Sequence, residues 1–339
     1  MIALMVQECG PMTTLQDEGR IGSQRFGVSN AGAMDRLALA AANALAGNGP
    51  GVAAIEFMLL GGAFTVEGGS IRVAVAGAPC AVTLDGQPVP VMTSVLVRAG
   101  QRLTIGPAQA GVFVYLAVAG GFDLPPQLGS LSLQPRAGIG GFHGRPFQRY
   151  DCVPLLRNEP PHGSELSLEP LALDAEAPVR VVLGPQDDYF GPDGIETFLT
   201  AAYAVSRESD RMGYRLTGPP IRHAKGYNIV SDGIVAGSVQ VPGGEPIVLM
   251  ADRQTTGGYP KIATVISADL RVLAQRRPSQ AVRFAAIDVR AAQRLARERA
   301  QTMAALLTRC RSAQGGLPPI EELLTLNLAG AAVNALSEG

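Results

Sequence analysis

Residues 252–262 concentrate chemistry: Asp252, Arg253, Gln254, Thr255, Thr256, Gly257, Gly258, Tyr259, Pro260, Lys261 and Ile262. An acid, two cations, an amide, two hydroxyls and a phenol fall within one short stretch of a chain that is only 17% charged. The paired glycines free the backbone to adopt positive φ and let a ligand approach with no Cβ in the way. The side chains around them offer donors and acceptors to a small amide-like molecule. A plainer reading makes the stretch a tight hairpin loop whose threonines and Asp252 satisfy its own backbone. Residue types alone leave both open.

The flanking pattern places this cluster at a strand end. Residues 237–241 and 246–250 read as two strands joined by the Pro242-Gly243-Gly244 turn. Upstream, residues 209–216 gather Asp210, Arg211, Tyr214 and Arg215 around Gly213, and an internal Asp–Arg pair fixing a bend is expected there. Residues 178–183 read as a strand entering a polar turn, residues 195–204 as a helix, and residues 204–287 as a second β-rich run, a second barrel.

Residues 1–6 read as a strand leading into a segment that carries Asp17 and Arg20. From Asn30 the apolar spacing changes to three and four, which predicts a helix capped by Ser29 or Asn30 and stopped at Gly47-Asn48. Asp35 then complements the dipole in its first turn, and Asn43 is expected to bond to a loop. Short β signals fill residues 53–118, with Asp85-Gly86 as a hairpin turn, which suits a small antiparallel barrel. Glycines crowd residues 120–145, where Arg136 or Arg145 could clamp an anion, although the spacing matches neither a Walker loop nor a dinucleotide fingerprint. Residues 158–177 read as a connection, residues 289–310 as a helix and residues 320–336 as a second, apolar helix.

With 339 residues, 47% of them hydrophobic, the chain can bury two cores, and its 41 glycines and 25 prolines argue for a mostly β architecture. The expected fold is therefore mostly β (α+β), with a few short helices. It comprises an N-terminal barrel lobe over residues 1–175, a C-terminal barrel lobe over residues 176–288 and a helical tail over residues 289–339. A net charge of −1 gives no footprint for nucleic acid or an anionic membrane. The N-terminus lacks a basic region and a cleavage site, and no apolar run is long enough to span a bilayer, so a cytoplasmic protein is expected. Cys9, Cys80, Cys152 and Cys310 are widely separated and there are only three histidines, so neither a metal site nor a disulfide framework is expected. The cysteines read instead as small buried hydrophobes.

Several of these segments together resemble the biotin-dependent carboxyltransferase family. They are Gln16-Asp17-Glu18-Gly19-Arg20, Gly32-Ala33-Met34-Asp35 with Asn43 and Gly47-Asn48, residues 184–190, residues 210–216, Gln240-Val241-Pro242, and residues 252–262. The likeness runs over nearly the whole chain. One departure stands out: the family's Gly-Ser-Arg-Ser-Thr segment is Gly129-Ser130-Leu131-Ser132-Leu133 here, which loses a guanidinium and a hydroxyl. The family includes the second subunit of allophanate hydrolase type proteins, KipA proteins, the 5-oxoprolinase C subunit and part of urea carboxylase.

The resemblance implies a cyclophilin-like barrel fold, in two copies, in a chain that is inactive alone. Its expected partners are a KipI-like protein, which is the 5-oxoprolinase B subunit, and the 5-oxoprolinase A subunit. The complex would use ATP to open 5-oxoproline to L-glutamate. The same resemblance allows two alternatives. One is carboxyl transfer from carboxybiotin to urea or another amide, which requires a biotinylated carrier; this chain has no Ala-Met-Lys-Met site. The other is a KipA-like regulator that binds a KipI-like protein without catalysis. On the matched positions, Asp252, Lys261, Gln254 and Tyr259 are the expected catalytic residues. Gln240, Arg253, Thr255, Thr256, Gly257, Gly258, Arg211, Asp17 and Arg20 are expected to bind substrate.

Overall fold

The computed structural model describes residues 2–156 and 164–313. Its logic is clearest in the strand Phe113–Val118, six buried residues in a row. Side chains alternate across a strand, and here both faces are covered. Val114, Leu116 and Val118 enter the interior of the N-terminal lobe, while Phe113, Tyr115 and Ala117 join a second core shared with the rest of the chain. The neighbouring strand Ser70–Gly77 divides the same way, with Ile71, Val73 and Val75 inside the lobe and Ala74 and Ala76 outside it.

Two sheets enclose the N-terminal core. One is six-stranded, in the order Cys152–Pro154, Ala3–Cys9, Gly62–Glu67, Arg102–Ile105, Val82–Leu84 and Gln87–Pro88. The other is five-stranded, in the order Thr14–Gln16, Ala54–Met58, Phe113–Val118, Ser70–Gly77 and Ser94–Arg98. The wall of this lobe is thus divided between two antiparallel sheets.

The third large sheet has eight strands: Ala281–Val282, Tyr203–Val205, Gly213–Thr217, Ile247–Leu249, Ser238–Gln240, Lys261–Val265, Val179–Leu183 and Phe284–Ala286. Its two edge strands are separated by Arg283 alone. The chain therefore passes from one edge directly to the other, bringing the sheet close to a closed barrel and leaving little free edge. The protein is mostly β with few helices, in keeping with its glycine and proline content.

Helix α1 (Arg36–Ala46) lies against the outer face of the five-stranded sheet, and ten of its eleven residues are buried. Its alanines meet Ala54, Ala74, Ala76 and Ala117, so two small-residue surfaces come close together. The same core continues into the barrel through Val181, Val239 and Ile262. Asp35, and not Ser29 or Asn30, is the N-cap, its Oδ1 accepting from Ala38 N at 3.1 Å. Residues 31 and 32 take positive φ, so the chain cannot yet be helical there. Asn43 bonds as expected, its Nδ2 donating to Val52 O at 2.7 Å.

Helix α2 spans Gly191–Thr200, four residues ahead of its expected start, because Pro192 suits a first turn whose N–H groups need no partner. Helix α3 is the short Leu270–Ala274. The expected C-terminal helix is divided into α4 (Val289–Ala304) and α5 (Leu306–Arg309). The helix expected over residues 320–336 lies outside the described residues. Cys80 is buried, which pushes its thiol up to about 11, whereas Cys152 is exposed and does not act as a core hydrophobe. Among the described residues no helix is long and apolar enough to cross a membrane.

Candidate functional site

A buried ionic frame holds the 252–262 segment in place. Glu56 stands in the otherwise apolar strand Ala54–Met58 and is 1% exposed, so burial pushes its carboxyl above the usual range. It nevertheless collects strong donors: the Arg211 guanidinium, Tyr115 Oη at 2.6 Å and Met34 N at 2.9 Å. Arg211 also grips Asp252 with both arms of its fork, Nε to Oδ2 and Nη2 to Oδ1, each at 2.9 Å. Its Nη2 donates as well to Gly32 O at 2.7 Å. Burial opposes the charge on Arg211, but Asp252 and Glu56 together hold it above its ordinary value. One guanidinium thus ties an N-terminal strand, the Gly32 turn and the 252–262 segment together, and Asp252 is fully engaged in that frame.

Beyond Asp252 the segment lies against the barrel. Thr256–Gly257 pairs with Asp232–Gly233 as a two-stranded ribbon. Neither Gly257 nor Gly258 adopts positive φ; Gly257 is needed for close approach instead. A Cβ there would sit 2.5 Å from Ile234 Cδ1 and 2.7 Å from Gln240 Nε2. Gln240 Nε2 donates to Tyr259 O at 3.2 Å, and Gln254 Nε2 donates to Gln240 Oε1 at 3.4 Å.

Gln240, Gln254 and Tyr259 line a hollow of about 440 Å³ together with Arg136, Glu208, Asp210 and Arg215. Tyr259 is 43% exposed, so it is open to a ligand. Asp210 closes its own bend by accepting from Met212 N at 2.8 Å, and its other oxygen lies 3.6 Å from Arg136. The bend at Gly213 is therefore fixed by Asp210, while Arg211 serves the buried frame.

The remaining expected site residues lie elsewhere. Lys261 is buried and its Nζ donates to Asp232 Oδ2 at 2.6 Å, which holds the Asp232 carboxyl below its usual range. Lys261 does not line the hollow. Arg253 lines a separate cavity. Thr255 is half-buried and its carbonyl accepts from Ile234 N, and Thr256 is exposed on the ribbon.

Asp17 and Arg20 are structural in their contacts. Asp17 Oδ1 accepts from Ser130 Oγ at 2.6 Å and Ser132 Oγ at 2.5 Å, and its Oδ2 accepts from Leu131 N at 2.6 Å. Arg20 is fully buried and donates to the carbonyls of Gln127 and Ser132. The Gly129–Leu133 segment is thereby tied down by Asp17, and Leu133 is fully buried. Glycine at 140 is required there, since a Cβ would lie 2.0 Å from the Arg20 side chain. Arg145 is paired with Asp151 at 2.7 Å.

Sequence reasoning missed Glu56 and Asp232. A lone acid within the apolar run Ile55-Glu56-Phe57-Met58 was the available signal for the first. Among the described residues there is no cluster of histidine, cysteine and acid side chains that could hold a metal ion.

A nearly closed barrel joined through a buried ionic frame to a two-sheet lobe agrees with comparison to known proteins. The family model for the carboxyltransferase domain, subdomain A and B, matches residues 26–286, and the chain belongs to that family. It is 41% identical over 286 residues to the 5-oxoprolinase C subunit of Haemophilus influenzae, covering 84% of this chain and 91% of that protein. It is 39% identical to the 5-oxoprolinase C subunit of Escherichia coli, over 83% of this chain and 90% of that one. The crystal structure of the K. lactis urea amidolyase superposes with a TM-score of 0.83 at 26% identity, over 90% of this chain and 20% of the larger one.

Proposed function

We propose that the chain is one subunit of an ATP-dependent 5-oxoprolinase, acting with a KipI-like subunit and a third subunit to open 5-oxoproline to L-glutamate. The observation that carries this reading is the identity of about four residues in ten to two 5-oxoprolinase C subunits across nine-tenths of their length. The chemistry of the hollow supports it. The substrate is a lactam bearing one carboxylate. Gln240, Gln254 and Tyr259 offer amide and phenol groups to the lactam, and Arg136 or Arg215 offers a guanidinium to the carboxylate.

A lactam carbon is a poor electrophile until its oxygen becomes a leaving group. The γ-phosphoryl of ATP passes to the lactam oxygen. Water adds to the ring carbon, the C–N bond breaks with the nitrogen taking up a proton, and a second water releases phosphate from the acyl phosphate. The hollow balances two arginines against Glu208 and Asp210. That charge suits a monoanionic substrate better than a triphosphate, so we assign the nucleotide to another subunit. In this reading Asp252 and Arg211 hold the segment in shape, while Lys261 fixes the ribbon through Asp232.

The test is to mix the chain with its two partner subunits, ATP and 5-oxoproline, and to measure glutamate. Turnover only when all three are present supports the proposal. Likeness to urea amidolyase favours a second reading, carboxyl transfer from carboxybiotin to an amide, because an amide-lined hollow would also accept a ureido group. Carboxylation of urea on adding a biotinylated carrier, with no glutamate from the three-subunit mixture, would replace the first reading with the second. Tight binding to the KipI-like subunit with neither product would leave a regulator.

A further inference from the structure

A second cavity, of about 360 Å³, shares no lining residue with the amide-lined hollow, and the proposed reaction does not use it. It is enclosed by the 30–36 turn, the 250–253 segment and helix α4. Three guanidiniums border it: Arg36 from the start of α1, Arg253 and Arg299 from α4. Glu18 is the only acid among the described lining residues, so three positive charges meet one negative charge among them.

None of the three arginines is paired with a carboxylate side chain among the described residues. Arg36 Nη2 donates to Glu18 O at 2.8 Å. Arg253 makes only long contacts, to Met250 O and Gln24 Oε1 at 3.3 Å and to Ile234 O at 3.4 Å, although it is 7% exposed. Arg299 donates to Ser267 O, and its Nε is buried with no partner among the described residues. The nearby acids are committed elsewhere, Asp35 to Gln275 and Ala38 N, and Asp269 to Arg180. Burial lowers the proton affinity of Arg253 and Arg299, and the positive charge of Arg36 lowers it further, while Asp252 opposes the shift at Arg253 and Asp35 and Asp269 oppose it at Arg299. Arginine stays charged in proteins, so the cost of this crowding persists until an anion offsets it.

We propose that this cavity is a binding site for a small molecule carrying an oxyanion, a carboxylate or a phosphate group. The oxyanion lies among Arg36, Arg253 and Arg299, and the apolar part of the ligand rests on Met34, Met250 and Met303. The volume falls within the range of small-ligand pockets, and planar guanidiniums match either oxyanion in bidentate fashion. The site is independent of the reading of the amide-lined hollow.

The test uses the purified full chain, without partner subunits, in isothermal titration calorimetry against inorganic phosphate, butyrate and ATP. Saturable binding of at least one of them is expected, weakened about tenfold or more in both Arg36→Gln and Arg299→Gln, as for loss of a charge-assisted hydrogen bond. Phosphate or ATP binding identifies a phosphoryl ligand, and binding of butyrate alone a carboxylate. Arg36 is exposed and Arg299 half-buried, and circular dichroism checks that both variants fold. The affinity should survive Tyr259→Phe, which alters the other hollow. Absence of binding by all three probes overturns the proposal. So does an affinity unchanged in both arginine variants, or one lost in Tyr259→Phe. Because glutamate formation is not measured, failure here leaves the 5-oxoprolinase reading to its own test.

Discussion

At the scale of single residues, Asp252 and Tyr259 separate structural from chemical roles. Asp252 faces a buried guanidinium, so Asp252→Ala leaves Arg211 with Glu56 as its one carboxylate among the described residues. Breaking such a buried pair costs about 3–5 kcal/mol, which urea denaturation would register. Tyr259 is open to solvent and its ring is not in the core, so Tyr259→Phe should leave stability within about 0.5 kcal/mol. The same change should lower glutamate formation by the three-subunit mixture about tenfold, the effect of one lost hydrogen bond to substrate. Unchanged stability in Asp252→Ala would assign that acid to the chemistry instead. Lys261 gives a pH signature. Its bond to Asp232 lowers that carboxyl in the folded state, so the stabilisation is present above the ordinary carboxylate range and is lost as pH falls through the lowered value. The difference in melting temperature between the wild type and Lys261→Met should therefore shrink on acidification below about pH 4.

At the scale of elements, the close fit of α1 to its sheet rests on alanine meeting alanine. Ala76 is 1% exposed beneath the helix, and Ala76→Leu would insert three carbons where the two surfaces already touch. Overpacking of this kind costs about 1–3 kcal/mol, and the loss should appear as a lowered urea midpoint with an unchanged slope. The turn-and-strand order around residues 238–249 was legible in the sequence because Pro242-Gly243-Gly244 announces itself locally. The alanine spacing likewise revealed α1, although Ser29 or Asn30 was the expected cap and Asp35 the expected first-turn acid, and the positive φ at Ala31 and Gly32 moves the start to Asp35. The candidate site was less legible. Arg211 meets Asp252 across 41 positions and Glu56 across 155, and no local periodicity encodes which strands a guanidinium will join. Proximity in sequence also misled: Gln254 and Tyr259 share a hollow, but Arg253 between Asp252 and Gln254 lines a different cavity.

At the scale of the whole molecule, the two β units share a core. The cluster that includes α1, Ala74 and Tyr115 continues without a break into Val181, Val239 and Ile262 of the barrel, so separating the units would expose apolar surface on both. Gln275 adds a polar clasp to this joint. It follows α3, in the C-terminal half, yet its Oε1 accepts from Val112 N at 2.8 Å and Phe113 N at 3.0 Å. Its Nε2 donates to Asp35 Oδ2 and to Phe113 O, each at 3.1 Å. Removing it leaves two buried N–H groups without an acceptor, at about 1–3 kcal/mol for each unsatisfied group. The wild-type chain should accordingly unfold in a single calorimetric transition. Gln275→Ala should lower the temperature of that transition while keeping it single, because the shared apolar core still couples the halves. Two resolved transitions in the wild type, one of them insensitive to Gln275→Ala, would show that the barrel and the two-sheet lobe are stable independently and that the core between them is not cooperative.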